Sequence, residues 1–161
     1  MPSDFVHLHL HTDYSLLDGA CAISWSKLKP EEREGKVDVV SLAKEFEMPA
    51  VAITDHGVLG GAVEFQNAFK DTGVKPIIGT ETYISPTTRT DRRPEIPHIK
   101  GYHLILLASN NEGYENLCRV ISEAHTNGFY YKPRVDKEFL AAHSKGLIAL
   151  SACIQGEVAN K

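Results

Sequence analysis

An α/β architecture with parallel strands is the expectation from this sequence. Two observations predict it: short apolar runs of the buried-strand kind recur along the chain, and amphipathic segments of helical spacing separate most of them. Strands alternating with helices imply βαβ units and parallel pairing. A third observation narrows the options, because no glycine-rich phosphate loop of the Rossmann or Walker type follows any of the apolar runs.

Residues 5–11, Phe5-Val6-His7-Leu8-His9-Leu10-His11, alternate with period two and predict a strand with Val6, Leu8 and Leu10 on one side and the three histidines with Phe5 on the other. Residues 12–19 are polar and close on the turn pair Asp18-Gly19. Residues 22–36 are charged over most of their length, lack an apolar face and predict a surface insertion. A helix over 37–47 follows from the spacing of Val39, Val40, Leu42, Ala43 and Phe46. Strands are predicted over 50–53, 75–79, 103–108 and 146–151, and helices over 61–70 and 111–125. Residues 86–97 read as a polar loop carrying Arg89, Arg92 and Arg93. The alternation by itself leaves open an open doubly wound sheet or part of a barrel. Residues 155–161 read as the start of a helix cut short, which makes the chain a fragment.

Composition removes several function classes. The chain has 161 residues, 42% hydrophobic and 24% charged, a globular balance of single-domain size. Its 17 basic and 21 acidic residues leave a net charge of −4, unlike an autonomous nucleic-acid grip with its basic patch. No apolar run approaches the ~20 residues that span a bilayer, and Met1-Pro2-Ser3-Asp4 lacks the basic start of a secretion signal. Three widely spaced cysteines, an odd number, argue against a disulfide framework and for a reducing cytoplasm.

The eight histidines carry the functional signal. His9 and His11 lie two apart on a predicted strand, so they project from one face and can share a metal ion. His7 shares that face in a supporting role. Later strands also run into candidate ligands: 50–53 into Asp55-His56-Gly57, 75–79 into Glu81, and 146–151 into Cys153. In parallel α/β folds the carboxyl ends of strands converge on one face, where sites are built. Asp18 is either a turn residue or a further ligand. His103 precedes its apolar run, so a parallel strand would put it at the wrong end. His98, His125 and His143 read as surface residues, and Cys21 and Cys118 as packing residues.

Three strings are similar to known motifs: His9-Leu10-His11-Thr12, Ser15-Leu16-Leu17-Asp18-Gly19, and Ile53-Thr54-Asp55-His56-Gly57 resemble the opening of the PHP (polymerase and histidinol phosphatase) domain. Tyr102-His103-Leu104, Gly128-Phe129-Tyr130-Tyr131-Lys132-Pro133-Arg134 and Ala149-Leu150-Ser151-Ala152-Cys153 narrow the resemblance to the domain at the N-terminus of bacterial DNA polymerase III alpha subunits. The resemblance implies a distorted (β/α)7 barrel, here its N-terminal portion, truncated before the last strands. It implies up to three divalent metal ions, Zn2+ or Mn2+, held here by His9, His11, Asp18, His56, Glu81, His103 and Cys153. A final Asp-x-His pair of the family pattern would fall beyond Lys161. Glu81 and His56 are the candidate catalytic residues, and Lys132 and Arg134, with Arg92 and Arg93, the nearest candidates for phosphate contacts.

The activity this implies is metal-assisted phosphoester hydrolysis, as a 3′–5′ exonuclease within a DNA-directed DNA polymerase whose nucleotidyl-transfer site lies elsewhere. DNA and other replisome subunits would be the partners. A non-catalytic, metal-stabilised scaffold in the same polymerase is the first alternative, and a free-standing phosphatase of the histidinol-phosphate type the second. Three expectations follow for the structure: the ligands cluster at one face, residues 22–36 lie outside the core, and the apolar surface of the 103–108 and 146–151 strands is left exposed and prone to self-association.

Overall fold

The computed structural model describes residues 5–16 and 18–160. Met1-Pro2-Ser3-Asp4 of the start, Leu17 of the second motif and Lys161 at the end of the expected terminal helix lie outside the described residues. Among the described residues the backbone forms five strands: β1 (Ala50–Ile53), β2 (Lys75–Ile84), β3 (Tyr102–Ala108), β4 (Arg134–Val135) and β5 (Leu147–Leu150). They share one sheet in the order β1-β2-β3-β5, with β4 also beside β2. The helices are α1 (Pro30–Arg33), α2 (Val39–Glu45), α3 (Ala62–Ala68), α4 (Asn111–Thr126) and α5 (Lys137–Ala142), and a short 3-10 turn at Val158–Asn160 stands where a terminal helix was expected.

The α/β class holds, but the pairing is mixed. β1 and β4 run parallel to β2, whereas β2–β3 and β3–β5 are antiparallel. The reason lies in the connection. A parallel return needs a crossover, usually a helix, and residues 85–101 contain none, so the chain doubles back directly. β2 is also longer than the predicted 75–79, because Thr80, Glu81 and Thr82 are buried within it and the Thr80 hydroxyl donates to the Asp55 carbonyl. Gly79 permits the close approach of β3: a Cβ there would meet the Leu106 carbonyl oxygen at 2.6 Å.

The strand expected over 5–11 is an extended segment lying along β1 without forming a full ladder. Ala52 N–H donates to the His7 carbonyl and Thr54 N–H to that of Leu10. The Leu10 N–H is taken by the Thr54 hydroxyl at 2.8 Å, which replaces a backbone acceptor. Exposure still alternates as period two requires, with His7 and His9 outward and Leu8 and Leu10 half-buried.

Helices cover one face of the sheet. α2 is capped by Asp38, whose carboxylate accepts from Ser41 N–H, and it buries Val39 and Ala43. With Phe65 of α3 and Phe69, these pack on Val51 and Ile53. α4 starts at its cap Asn110 and presents Leu117, Val120, Ile121 and Ala124 at i, i+3, i+4, i+7. Three of them pack on Ile84, Leu106 and Val135. The opposite face carries a smaller core of Ala52, Ile105 and Leu107.

Two expectations need correcting here. Residues 22–36 are not wholly outside the core, because Ala22 and Ile23 are 6% and 2% exposed and Ile23 joins the α2–α3 core. Nor is β3 an exposed strand. It lies between β2 and β5 with Ile105, Leu106 and Leu107 buried, whereas the edge strand β5 exposes Ile148 and Ala149. No helix among the described residues is long and apolar enough to cross a membrane.

Candidate metal centre

Antiparallel pairing explains the histidine that sequence spacing put at the wrong end. His103 is the second residue of β3 and sits opposite Tyr83 near the carboxyl end of β2. β5 then runs antiparallel to β3, so the segment after it returns to the same edge, where His103 N–H donates to the Gln155 carbonyl. Cross-strand partners share a face, so Glu81, Tyr83, Ile105 and His103 all point to the side away from α4. The small core of Ala52, Ile105 and Leu107 forms the floor below them.

The other side chains arrive from the neighbouring loops. Asp55, 1% exposed, accepts from the Thr12 N–H at 2.6 Å, the Thr12 hydroxyl at 2.8 Å and the Ser15 hydroxyl at 2.7 Å. These bonds tie the turn after His11 to the end of β1. Asp18 is thereby brought to His11 and His56, its carboxylate 3.0 Å from His11 Nδ1 and 2.9 Å from His56 Nε2. Gly57 N–H donates to the Glu81 carbonyl, which locks His56 beside β2. Gly57 has φ +61°, and a Cβ there would meet the Pro133 ring at 2.7 Å, so the backbone at the second motif needs glycine on both counts.

All seven expected ligands come together. Three overlapping groups could each hold a metal ion: His9, His11 and Glu81; His11, Asp18 and His56; and Glu81, His103 and Cys153. Within each group one candidate atom per residue lies within 4.8 Å of the others. Glu81 is shared by two of them. Its Oε2 is 2.7 Å from His9 Nε2 and 2.8 Å from His11 Nε2, and those two nitrogens are 2.9 Å apart. Its Oε1 is buried with no hydrogen bond and abuts His103 Nδ1 as an ion pair. Cys153 Sγ lies 3.6 Å from that nitrogen.

The electrostatics describe a site that requires positive charge at its centre. Burial pushes the Glu81 carboxyl up, and contacts with His103, His11 and His9 more than reverse this, holding it well below the usual carboxylate range. The Glu81 hydrogen bond holds His11 above its ordinary value against the cost of burial. His56 moves the other way, pushed down by burial and by the neighbouring His11. Asp18 is held low by its bonds to His11 and His56. Neutral imidazole nitrogens and a carboxylate oxygen this close present lone pairs to one another, so a proton or a metal ion must lie among them. Imidazole, carboxylate and thiolate are the donors that Zn2+ and Mn2+ sites use. The residues fit such an ion.

Other expectations fare differently. Lys132 is exposed, with Nζ 5.2 Å from the centre of the Tyr83 ring, at the edge of the cluster. Arg134 is not a phosphate contact. It is fully buried, its Nε and Nη1 donate to the carbonyls of Gly128 and Ile99, and Nη2 donates to those of Arg89 and Asp91. Arg92 and Arg93 are exposed, and Arg93 is bound to Asp91 at 2.7 Å. His7 is exposed and belongs to none of the three groups. Cys21 is exposed, not packed inside, and Cys118 is half-buried. The sequence reading missed Tyr83, whose hydroxyl is 3.0 Å from His56 Nδ1 and whose phenol burial pushes up to about 12. Its position two residues after Glu81 on one strand was the available signal.

The PHP domain family matches residues 7–161. A DNA polymerase III subunit alpha from Chlamydia trachomatis is 46% identical over 155 residues, covering 96% of this chain and 12% of that protein. One from Deinococcus radiodurans is 49% identical over 164 residues, covering 98% of this chain and 11% of its own length. The chain thus spans about an eighth of the curated relatives it matches. A solved structure from Bifidobacterium adolescentis, provisionally titled a metal-dependent phosphoesterase, aligns with a TM-score of 0.38 at 17% identity, over 74% of this chain and 34% of its own.

Proposed function

The chain belongs to the PHP domain family, and from that premise we propose that it is a metal-dependent phosphoesterase acting on DNA 3′ ends as a 3′–5′ exonuclease, carried by a replicative DNA polymerase of the subunit alpha kind. Its partners in that setting are DNA and the other replisome subunits, and its setting the cytoplasm. The observation that supports this reading most is Glu81, a nearly inaccessible carboxylate with histidines on both oxygens and membership in two of the three candidate groups. A buried charge with no fixed cationic partner is costly, and its retention among imidazoles fits a centre that metal completes.

His9, His11 and Glu81 would hold one ion, Glu81, His103 and Cys153 a second, and Asp18 with His56 a further one. Bound divalent ions, Zn2+ or Mn2+, would lower the pKa of water and neutralise charge on the attacked phosphate. The chain's own residues then have defined tasks. The Tyr83 hydroxyl oxygen can accept from His56 Nδ1–H, which leaves the Nε2 lone pair facing Asp18 and an ion held between them. Asp55 fixes the loop that delivers Asp18. Glu81 keeps its charge at all physiological pH and spans two groups from one rigid strand. Lys132 stands at the rim, where a phosphate would arrive.

The test is metal titration of the wild type and of Glu81→Gln, followed by release of the terminal nucleotide from 3′-mismatched DNA. Saturable binding with nucleotide release in the wild type, and loss of both in Glu81→Gln, is the expected result. Metal binding that stabilises the fold with no hydrolysis in the protein at its relatives' full length would favour the scaffold reading instead.

A further inference from the structure

Next to the cluster the chain builds an alternation of aromatic rings and cations that the metal centre does not use. Tyr131 is 66% exposed, although its backbone is held at φ +60°, a conformation side chains other than glycine adopt rarely and at a cost. Its ring is braced edge-on by Tyr130 at 4.7 Å, and Tyr130 in turn lies over the buried Arg134 guanidinium. Lys100 Nζ sits 4.8 Å from the Tyr131 ring centre. The next residue, Lys132, reaches back over Tyr83, whose hydroxyl meets His56. Lys100 and Lys132 form no salt bridge among the described residues. Arg134, by contrast, spends its donors on carbonyls at 99, 89 and 91 and on Gly128, which fixes the turn that presents these two side chains.

An exposed, braced aromatic ring followed directly by a free ammonium beside a phosphoester site has a specific use. Bases stack on such rings regardless of sequence, while cations track the phosphates. We infer that Tyr131 and Lys132 seat the 3′-terminal nucleotide of a single-stranded nucleic acid, its base stacked on the Tyr131 ring and the adjoining phosphate held by Lys132 at the Tyr83–His56 edge of the cluster. This rests on the phosphoester reading above and adds a substrate seat to it. The seat needs no base-specific hydrogen bonds, so it accepts any base, and it discriminates against a double-stranded end, whose terminal base is already stacked and paired.

The seat is tested in EDTA by fluorescence anisotropy, with a labelled single-stranded oligonucleotide and a second one lacking only its 3′-terminal base. The wild type should bind the second roughly tenfold more weakly. Tyr131→Ala should lose about as much on the intact oligonucleotide and nothing more on the abasic one, whereas Tyr131→Phe should bind like the wild type. Lys132→Ala should weaken both ligands alike and flatten the salt dependence. Equal binding of the two oligonucleotides by the wild type, or an equal loss on both in Tyr131→Ala, would overturn the seat; no binding at all would also overturn it. Nucleotide release with added metal separates the two readings. Base-dependent binding without release leaves the seat standing and removes the phosphoesterase, and release that is unchanged in Tyr131→Ala removes the seat alone.

Discussion

Of the charged side chains buried in this small domain, Arg134 and Glu81 are partnered in opposite ways. Arg134 gives its guanidinium to four backbone carbonyls, from Gly128, Ile99, Arg89 and Asp91. Glu81 meets side chains that titrate, His9, His11 and His103, with His56 Nδ1 at 3.7 Å. Carbonyls are fixed by the fold and cannot be exchanged, so Arg134 staples the 86–101 loop to the 128–134 turn. Imidazoles can give up their proton to solvent and turn a lone pair inward, so the Glu81 pocket suits an exchangeable cation. Both side chains are buried and ionised, and the nature of the partners separates a structural group from a chemical one.

The largest effect should come from breaking the fixed side of that contrast. Arg134→Met leaves buried carbonyls unpaired and should cost about 3 kcal/mol or more, since charged hydrogen bonds are worth ~1.5–3 kcal/mol each. Urea unfolding measures it, and a loss below half that value would mean that the carbonyls find other donors. Glu81→Gln keeps the shape and should cost about 1 kcal/mol in EDTA, the scale of one hydrogen bond. It should abolish the rise in Tm that metal gives the wild type, which thermal melts with and without Zn2+ or Mn2+ will read. A comparable loss of apo stability in both variants would erase the distinction.

A smaller effect concerns a third charged group, intermediate between the two. Arg89 pairs with both Glu123 and Asp136. The Arg89 contact holds the Glu123 carboxyl below its usual range, and bonds from Arg89 and from Phe139 N–H outweigh the effect of burial to hold Asp136 low as well. Folded-state values below unfolded ones contribute stability above the unfolded pKa, and that contribution is lost as pH falls through the folded values. The wild type should therefore lose stability from about pH 5 downward, and Arg89→Met should flatten that part of the profile. A parallel profile in the variant would show that other carboxylates govern acid unfolding.

How much of this was legible in the sequence follows the same contrast. His9, His11, His56, Glu81 and Cys153 follow or end predicted strand runs, so local pattern found them; it left Asp18 open between turn and ligand, and motif resemblance supplied Asp18 and His103. The spacing of His103 misled because parallel pairing was assumed, although the helix-free 85–101 connection carried the correction. Arg134 was misread for a physical reason. Three of its four acceptors lie 35 to 45 residues earlier in the chain, and nothing local distinguishes a guanidinium that will be buried from one that will face a phosphate. Tyr83 was hidden in the same way, its hydroxyl given a purpose only when His56 arrives from another strand. The expected exposure of 22–36 fails at Ala22 and Ile23, which are few and apolar beside a long charged run.

The central claim, that Glu81 anchors a centre of exchangeable metal ions, is tested most directly by anomalous diffraction from crystals grown with Zn2+ or Mn2+. The account predicts anomalous peaks within bonding distance of Glu81 carboxylate oxygens, about 2.0–2.2 Å for Zn2+, with His9 and His11 on one ion and His103 and Cys153 on another. Saturating metal that leaves this pocket without a peak while binding elsewhere on the surface would contradict it.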